Sequence, residues 1–190
     1  IGVLTKYLST EMYWQYNKIY NYLAFFAFFA DLGLYTISIR EISKDTTQAS
    51  KIIGNVMSLR LLLWIGIIFL SGIIAFFLPG YNTELMLYSI FIVSIFTVFS
   101  LLNSSVLSLM QSFMKIEFSL FSVVFWKIIN FLLILLVVFF LFPKENTQNY
   151  EEAFLYILWA GLVWIIVNYL LNLYYANKIA KIEFLFDFAY

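Results

Sequence analysis

Residues 61–78 read LLLWIGIIFLSGIIAFFL, a run without one charged side chain, closed by Pro79-Gly80 and then Tyr81-Asn82. At about 1.5 Å per residue, a helix over this run nearly matches the roughly 30 Å hydrocarbon core of a bilayer. At about −0.3 to −0.6 kcal/mol per large aliphatic residue, its insertion is favourable by several kcal/mol. Proline and glycine behind the last apolar residue terminate a helix, because one lacks the amide donor and the other favours the turn. The run is a membrane span, extended at its start to about residue 57.

The rest of the chain has the same character. Of 190 residues, 64% are hydrophobic and 12% charged, against roughly 45–50% and 25% in soluble domains. Such a length accommodates five or six passes with short loops and leaves little for a soluble domain. Eleven basic and eleven acidic residues cancel, and no basic arm argues for nucleic acid. Cysteine and histidine are absent, which removes disulfides, thiol nucleophiles, imidazole bases and the common zinc sites. No cofactor or metal is expected, and no enzymatic activity.

Outward from residues 61–78, further passes are expected over about 17–39, 85–110, 119–142 and 153–176. An apolar piece over 1–8 reads as the end of a helix that begins before Ile1. The whole forms one transmembrane lobe, and both chain ends read as cut. Tyr13, Trp14, Tyr16 and Tyr20 suit an interfacial aromatic belt. The polar stretch 40–55, with Lys44, Asp45, Thr46, Thr47 and Gln48, reads as a loop. Arg40, Lys44, Lys51 and Arg60 between the second and third passes, Lys115, and Lys178 and Lys181 place these connections inside, by the excess of basic residues on cytoplasmic loops. The turns near Glu11, Asn82 and Asn149 then face outward, with Lys6, Lys18 and Lys144 on their side, and residues 177–190 are a cytoplasmic segment.

Several polar residues lie inside the spans. Asn17, Tyr20, Asn21, Ala24, Phe28, Asp31, Tyr35 and Ser38 fall on one helical line, and such a stripe should not face lipid. A lone Asp31 at that depth costs about 2.5–3.5 kcal/mol. Two readings stay open: a structural ion pair or protonated carboxyl, or a cavity or coupling-ion role. Lys127 lies at similar depth in the fifth pass, one turn before Asn130, and pairs with Asp31, meets an anionic group in a cavity, or snorkels to the interface. Ser100, Ser104, Ser108 and Ser112 recur every four residues, a spacing that lets helices approach closely, with a polar cavity wall as the alternative. Asn168 and Asn172 form a similar pair suited to interhelical hydrogen bonding.

Leu4-Thr5-Lys6-Tyr7-Leu8, Glu11-Met12-Tyr13, Ala30-Asp31-Leu32-Gly33-Leu34 and Arg40-Glu41-Ile42 together resemble the start of polysaccharide biosynthesis proteins of the O-antigen flippase type. That family belongs to the multidrug/oligosaccharidyl-lipid/polysaccharide (MOP) exporter superfamily. Ser9 stands where the family usually has glycine, and Trp14 where Tyr-Gly is common. The resemblance implies an all-α bundle, the amino-terminal six-helix lobe of a two-lobed MATE-like transporter with its first helix truncated. It implies a multi-pass protein of the bacterial inner membrane that flips polyprenyl-pyrophosphate-linked oligosaccharide outward by alternating access. Coupling to H⁺ or Na⁺ belongs to the same picture.

A pyrophosphate crossing hydrocarbon needs cationic and hydrogen-bonding cover. The candidates are Lys6, Lys18, Arg40, Lys127 and Asn130, with Arg60 a further one. Arg40 and Arg60 read equally as inner-boundary residues that set topology and touch headgroups. A cation-coupled drug exporter of the same superfamily is the nearest alternative, although the intramembrane balance of Asp31 against Lys127 shows no surplus of carboxylates. A membrane glycosyltransferase or polymerase would have to draw on Glu145, Glu151 and Glu152 in short outer turns. A structural membrane subunit is the remaining class.

Overall fold

The computed structural model describes residues 2–143 and 150–182. These are all helical apart from turns, with no strand: α1 Gly2–Tyr7, α2 Thr10–Asp31, α3 Leu34–Lys44, α4 Ala49–Phe77, α5 Glu84–Ser112, α6 Ile116–Leu136 and α7 Tyr150–Asn177. A 3₁₀ turn at Thr46–Gln48 precedes α4, and a π turn at Val137–Leu141 prolongs α6. Five stretches are long and apolar enough to cross a membrane: Thr10–Lys44, Thr46–Phe77, Glu84–Ser112, Ser119–Leu141 and Tyr150–Asn177. The protein is a multi-pass membrane protein by this criterion. Lys144, Glu145, Asn146, Asn149 and the last part of the 177–190 segment lie outside the described residues.

Local chemistry accounts for most helix ends. The Ser9 hydroxyl accepts from the Met12 amide at 3.2 Å and Thr83 does the same for Met86 at 3.4 Å, with Glu11 and Glu84 in the first turns. α4 stops at Phe77, before Pro79 and a left-handed Gly80. The positive φ favours glycine at position 80, and a Cβ there would lie 3.0 Å from the Lys18 ammonium and displace it.

Two sequence expectations are corrected. The pass over 17–39 is not one straight helix: Leu32 (φ 38°) and Gly33 (φ 78°) are both left-handed and break it into α2 and α3. The polar line therefore does not run straight, and Ser38 is buried while Asn21, Ala24 and Phe28 are exposed. The 40–55 stretch is not a loop, because only Asp45–Gln48 leaves the α-helix. Arg40, Glu41 and Lys44 are good helix formers, and Lys44 pairs with Glu41 one turn back at 2.9 Å. Polar composition marks the bilayer boundary here; it does not mark a helix end.

At that turn the Asp45 carboxylate accepts from the Thr47 hydroxyl at 2.6 Å, the Thr47 amide at 3.0 Å and Gln48 at 3.1 Å. These donors, the Thr47 hydroxyl foremost, hold its carboxyl below the usual carboxylate range. The resulting stabilisation is complete above the ordinary carboxylate pKa and is lost as pH falls through the lowered one.

α5 is the central helix. It contributes to both apolar cores, one with Leu4, Ile19, Leu23, Phe154 and Leu158 and the other with Ile42, Ile53, Met57 and Tyr169. Outward faces are equally apolar: Phe25, Phe69, Phe77, Phe121 and Phe140 are all exposed. Aromatic surface on this scale suits lipid rather than water. A buried polar hub ties three helices together. Asn172 on α7 donates to Asn103 on α5 at 2.9 Å and to Asn168 at 3.0 Å, and accepts from Ser122 on α6 at 2.6 Å. Hydrogen bonds between membrane helices contribute about 0.6 kcal/mol on average and at most about 1.7. Asn172→Ala should therefore lower unfolding stability in detergent by about 1–2 kcal/mol, and an unchanged thermal midpoint would show that the hub does not hold the bundle.

Candidate functional site

The break at Leu32–Gly33 leaves Asp31 as the last residue of α2, facing α4 and α5. Its carboxylate accepts from the terminal nitrogen Nη2 of Arg60, and the two form a salt bridge. Arg60 has no solvent exposure, whereas the Asp31 side chain is 34% exposed. The other terminal nitrogen of Arg60 is cradled by α5: it donates to the Leu101 carbonyl, to the Ser105 hydroxyl at 2.6 Å and to the Ser104 hydroxyl at 3.2 Å. One guanidinium thus joins α2, α4 and α5. Just beyond, the Tyr35 hydroxyl of α3 donates to Gln111 of α5 at 2.5 Å. The site is a charge pair with one sealed side, the guanidinium, and one open side, the carboxylate.

The pairing differs from the sequence expectation, in which Lys127 was one partner for Asp31. Matched depth alone suggested Lys127. The structure instead brings Arg60 to Asp31, and Lys127 is exposed on the apolar face of α6 with Leu120, Val124 and Phe131. Nor is Arg60 at a helix end. α4 begins at Ala49, which sets Arg60 eleven residues inside the helix, roughly 16 Å along its axis. The sequence carried a signal for this: Ile52, Ile53, Val56, Met57 and Leu59 continue the apolar pattern of 61–78 back past Arg60.

The other candidates are dispersed. Lys18 donates to the Gly80 carbonyl at 2.8 Å and lies over the rings of Tyr81 at 3.9 Å and Trp14 at 4.8 Å, so it clasps α2 to the turn between α4 and α5. Asn130 donates to the Ala160 carbonyl at 3.3 Å, linking α6 to α7. Arg40 is exposed and bonded to Glu41 at 3.0 Å. Lys6 is exposed on α1. Ser104 belongs to the Arg60 cradle, Ser108 is buried and donates to the Ser105 carbonyl at 2.7 Å, and Ser100 is exposed, so the four-residue stripe serves three different purposes. Ser105, off the stripe, makes the shorter bond to Arg60. No cluster of three metal-ligating side chains occurs among the described residues.

No protein-family model, curated protein or solved structure matches the chain.

Removing one partner of a buried pair typically costs about 3–5 kcal/mol, because the other charge is stranded. The asymmetry of exposure orders the variants. Asp31→Ala strands a fully buried guanidinium and should cost about 3 kcal/mol, while Arg60→Met leaves a carboxylate that is only partly buried and should cost about 1–2 kcal/mol. The double variant should be no less stable than Asp31→Ala alone in thermal unfolding; strictly additive losses would rule out the coupling.

Proposed function

We propose that the protein is one helical lobe of a MOP-type transporter that flips polyprenyl-pyrophosphate-linked oligosaccharide from the inner to the outer leaflet of a bacterial inner membrane. The observation that carries this reading is the Asp31–Arg60 pair, set within apolar segments yet exposed at the bundle surface on the Asp31 side. Intramembrane charges are costly and concentrate on substrate and ion pathways. The resemblance at Ala30 to Leu34 and Arg40 to Ile42 falls on the same part of the chain and supports the same reading.

In this scheme the open face of α2, with Asn21, Ala24, Phe28 and Asp31, borders a central cavity. Lys127 offers its ammonium to the pyrophosphate from α6, and Lys6 adds positive charge from α1. Asp31 is the coupling residue. A proton or Na⁺ arriving at its exposed carboxylate weakens its hold on Arg60, and the α5 cradle then keeps the guanidinium in place while α2 moves. Lys18 and Asn130, engaged with Gly80 and Ala160, act as helix clasps rather than substrate ligands.

Measurement of lipid-linked oligosaccharide in cells lacking the protein tests the reading. The pool should accumulate at the inner leaflet and be cleared by the wild-type gene, and Lys127→Gln should slow clearance by about tenfold, as loss of one charge-assisted contact would. An unchanged pool accompanied by altered sensitivity to cationic drugs would instead identify a drug exporter and defeat the proposal.

A further inference from the structure

α3 and α4 diverge from the Asp45–Gln48 turn and enclose a cavity of about 350 Å³. Its walls are two helix faces: Leu34, Ile37 and Glu41 on α3, and Ile52, Val56 and Leu59 on α4. Both sets follow the i, i+3 or i+4, i+7 spacing that aligns side chains along a helix. The wall is therefore continuous over two turns, about 10 Å. The lining side chains are branched aliphatics apart from Glu41, Asn55 and Ser38, whose hydroxyl donates to the Leu34 carbonyl at 2.6 Å. The volume lies within the roughly 300–1,000 Å³ of ligand pockets.

One end of this groove is strongly polar. Glu41 receives Arg40 Nε at 3.0 Å and Lys44 Nζ at 2.9 and 3.1 Å. The Arg40 and Lys44 side chains are nevertheless 68% and 61% exposed, and Arg40 has spent one of its five N–H donors on Glu41. Two cations on one carboxylate leave one positive charge over. Asp45 and Lys51, the next charges along the chain, add one of each sign.

We propose that this groove holds one acyl chain of an anionic phospholipid, with its phosphodiester at Arg40 and Lys44. A branched aliphatic trough matches a hydrocarbon chain, and the single surplus positive charge matches the single negative charge of a phosphodiester. A pyrophosphate would bring at least one further negative charge without a partner, so the occupant is a resident lipid and not the transported one. Basic residues at the ends of membrane helices recognise anionic headgroups in this way. The inference requires that α3 and α4 border the bilayer and is independent of the transport reading.

The test uses the full-length protein in detergent, delipidated and then offered dioleoylphosphatidylglycerol, dioleoylphosphatidylethanolamine, undecaprenyl phosphate or inorganic phosphate, with bound molecules counted by native mass spectrometry. One phosphatidylglycerol should be retained with roughly tenfold preference over the zwitterionic lipid. R40Q/K44Q, confined to exposed side chains, should abolish the preference, and Val56→Trp should fill the groove and abolish retention. Ile37→Trp fills it from the opposite wall should the first tryptophan disturb folding. Equal retention of the two phospholipids, survival of the preference in R40Q/K44Q, survival of retention with the groove filled, or preferential binding of undecaprenyl phosphate or free phosphate would each overturn the proposal.

Discussion

A guanidinium shut off from solvent must find its hydrogen-bond acceptors within the bundle, and Arg60 imposes that requirement on three helices at once. α5 serves one terminal nitrogen with the Leu101 carbonyl and two adjacent hydroxyls and α2 serves the other with Asp31, while Nε is buried without an acceptor among the described residues. The carboxylate reaches Arg60 from the end of α2, where two consecutive left-handed residues stop the helix. Leu32 accepts a conformation that costs a non-glycine residue roughly 1–2 kcal/mol. That strain is small beside the several kcal/mol of leaving a buried cation without its counterion.

The remaining polar bonds fall into place around this centre. Toward one end, Tyr35 and Gln111 tie α3 to α5; toward the other, the Tyr22 hydroxyl donates to the Ser71 carbonyl at 2.6 Å and Lys18 to Gly80. On the far side of α5, the asparagine hub brings in α6 and α7. α5 is therefore gripped on two sides by different chemistry, a charged pair on one and neutral amides on the other. α6 is tied by side-chain hydrogen bonds through Ser122 and Asn130 and leaves a broad, largely apolar face with Lys127 in it exposed.

Much of this architecture was legible in the sequence because the bilayer imposes a length rule that composition reveals directly. Residues 61–78, Pro79-Gly80 and the charge-poor runs around 85–110 and 153–176 needed no tertiary information. The boundary at residues 40–55 was misread because polarity reports where lipid ends, whereas a helix continues into water whenever its residues favour it. The Asp31–Arg60 pair is not foreseeable from matched depth, which offers Lys127 only as one partner among open readings; Arg60 is buried by the packing of α4 against α5, a tertiary contact without a signature in spacing. The Leu32–Gly33 break was invisible to periodicity, since a leucine in the left-handed region has no local signature. Of the Asn168–Asn172 pair expected to bond between helices, Asn172 does so with Asn103 and Ser122, which share no spacing with it, whereas the Asn168 side chain bonds, among the described residues, only to Asn172 on its own helix.

The apolar exterior has a thermodynamic consequence. Phe25, Phe69, Phe121 and Phe140 contact lipid in the assembled bundle and would still contact lipid if the helices separated within the bilayer. Little nonpolar surface would then be hydrated during disassembly, so the heat-capacity change that gives water-soluble domains their curved stability profile is largely absent. Cohesion in such a bundle rests on close packing and on a small number of polar bonds. Its free energy should vary almost linearly with temperature, without the cold-induced weakening that hydrophobic burial confers on proteins folded in water.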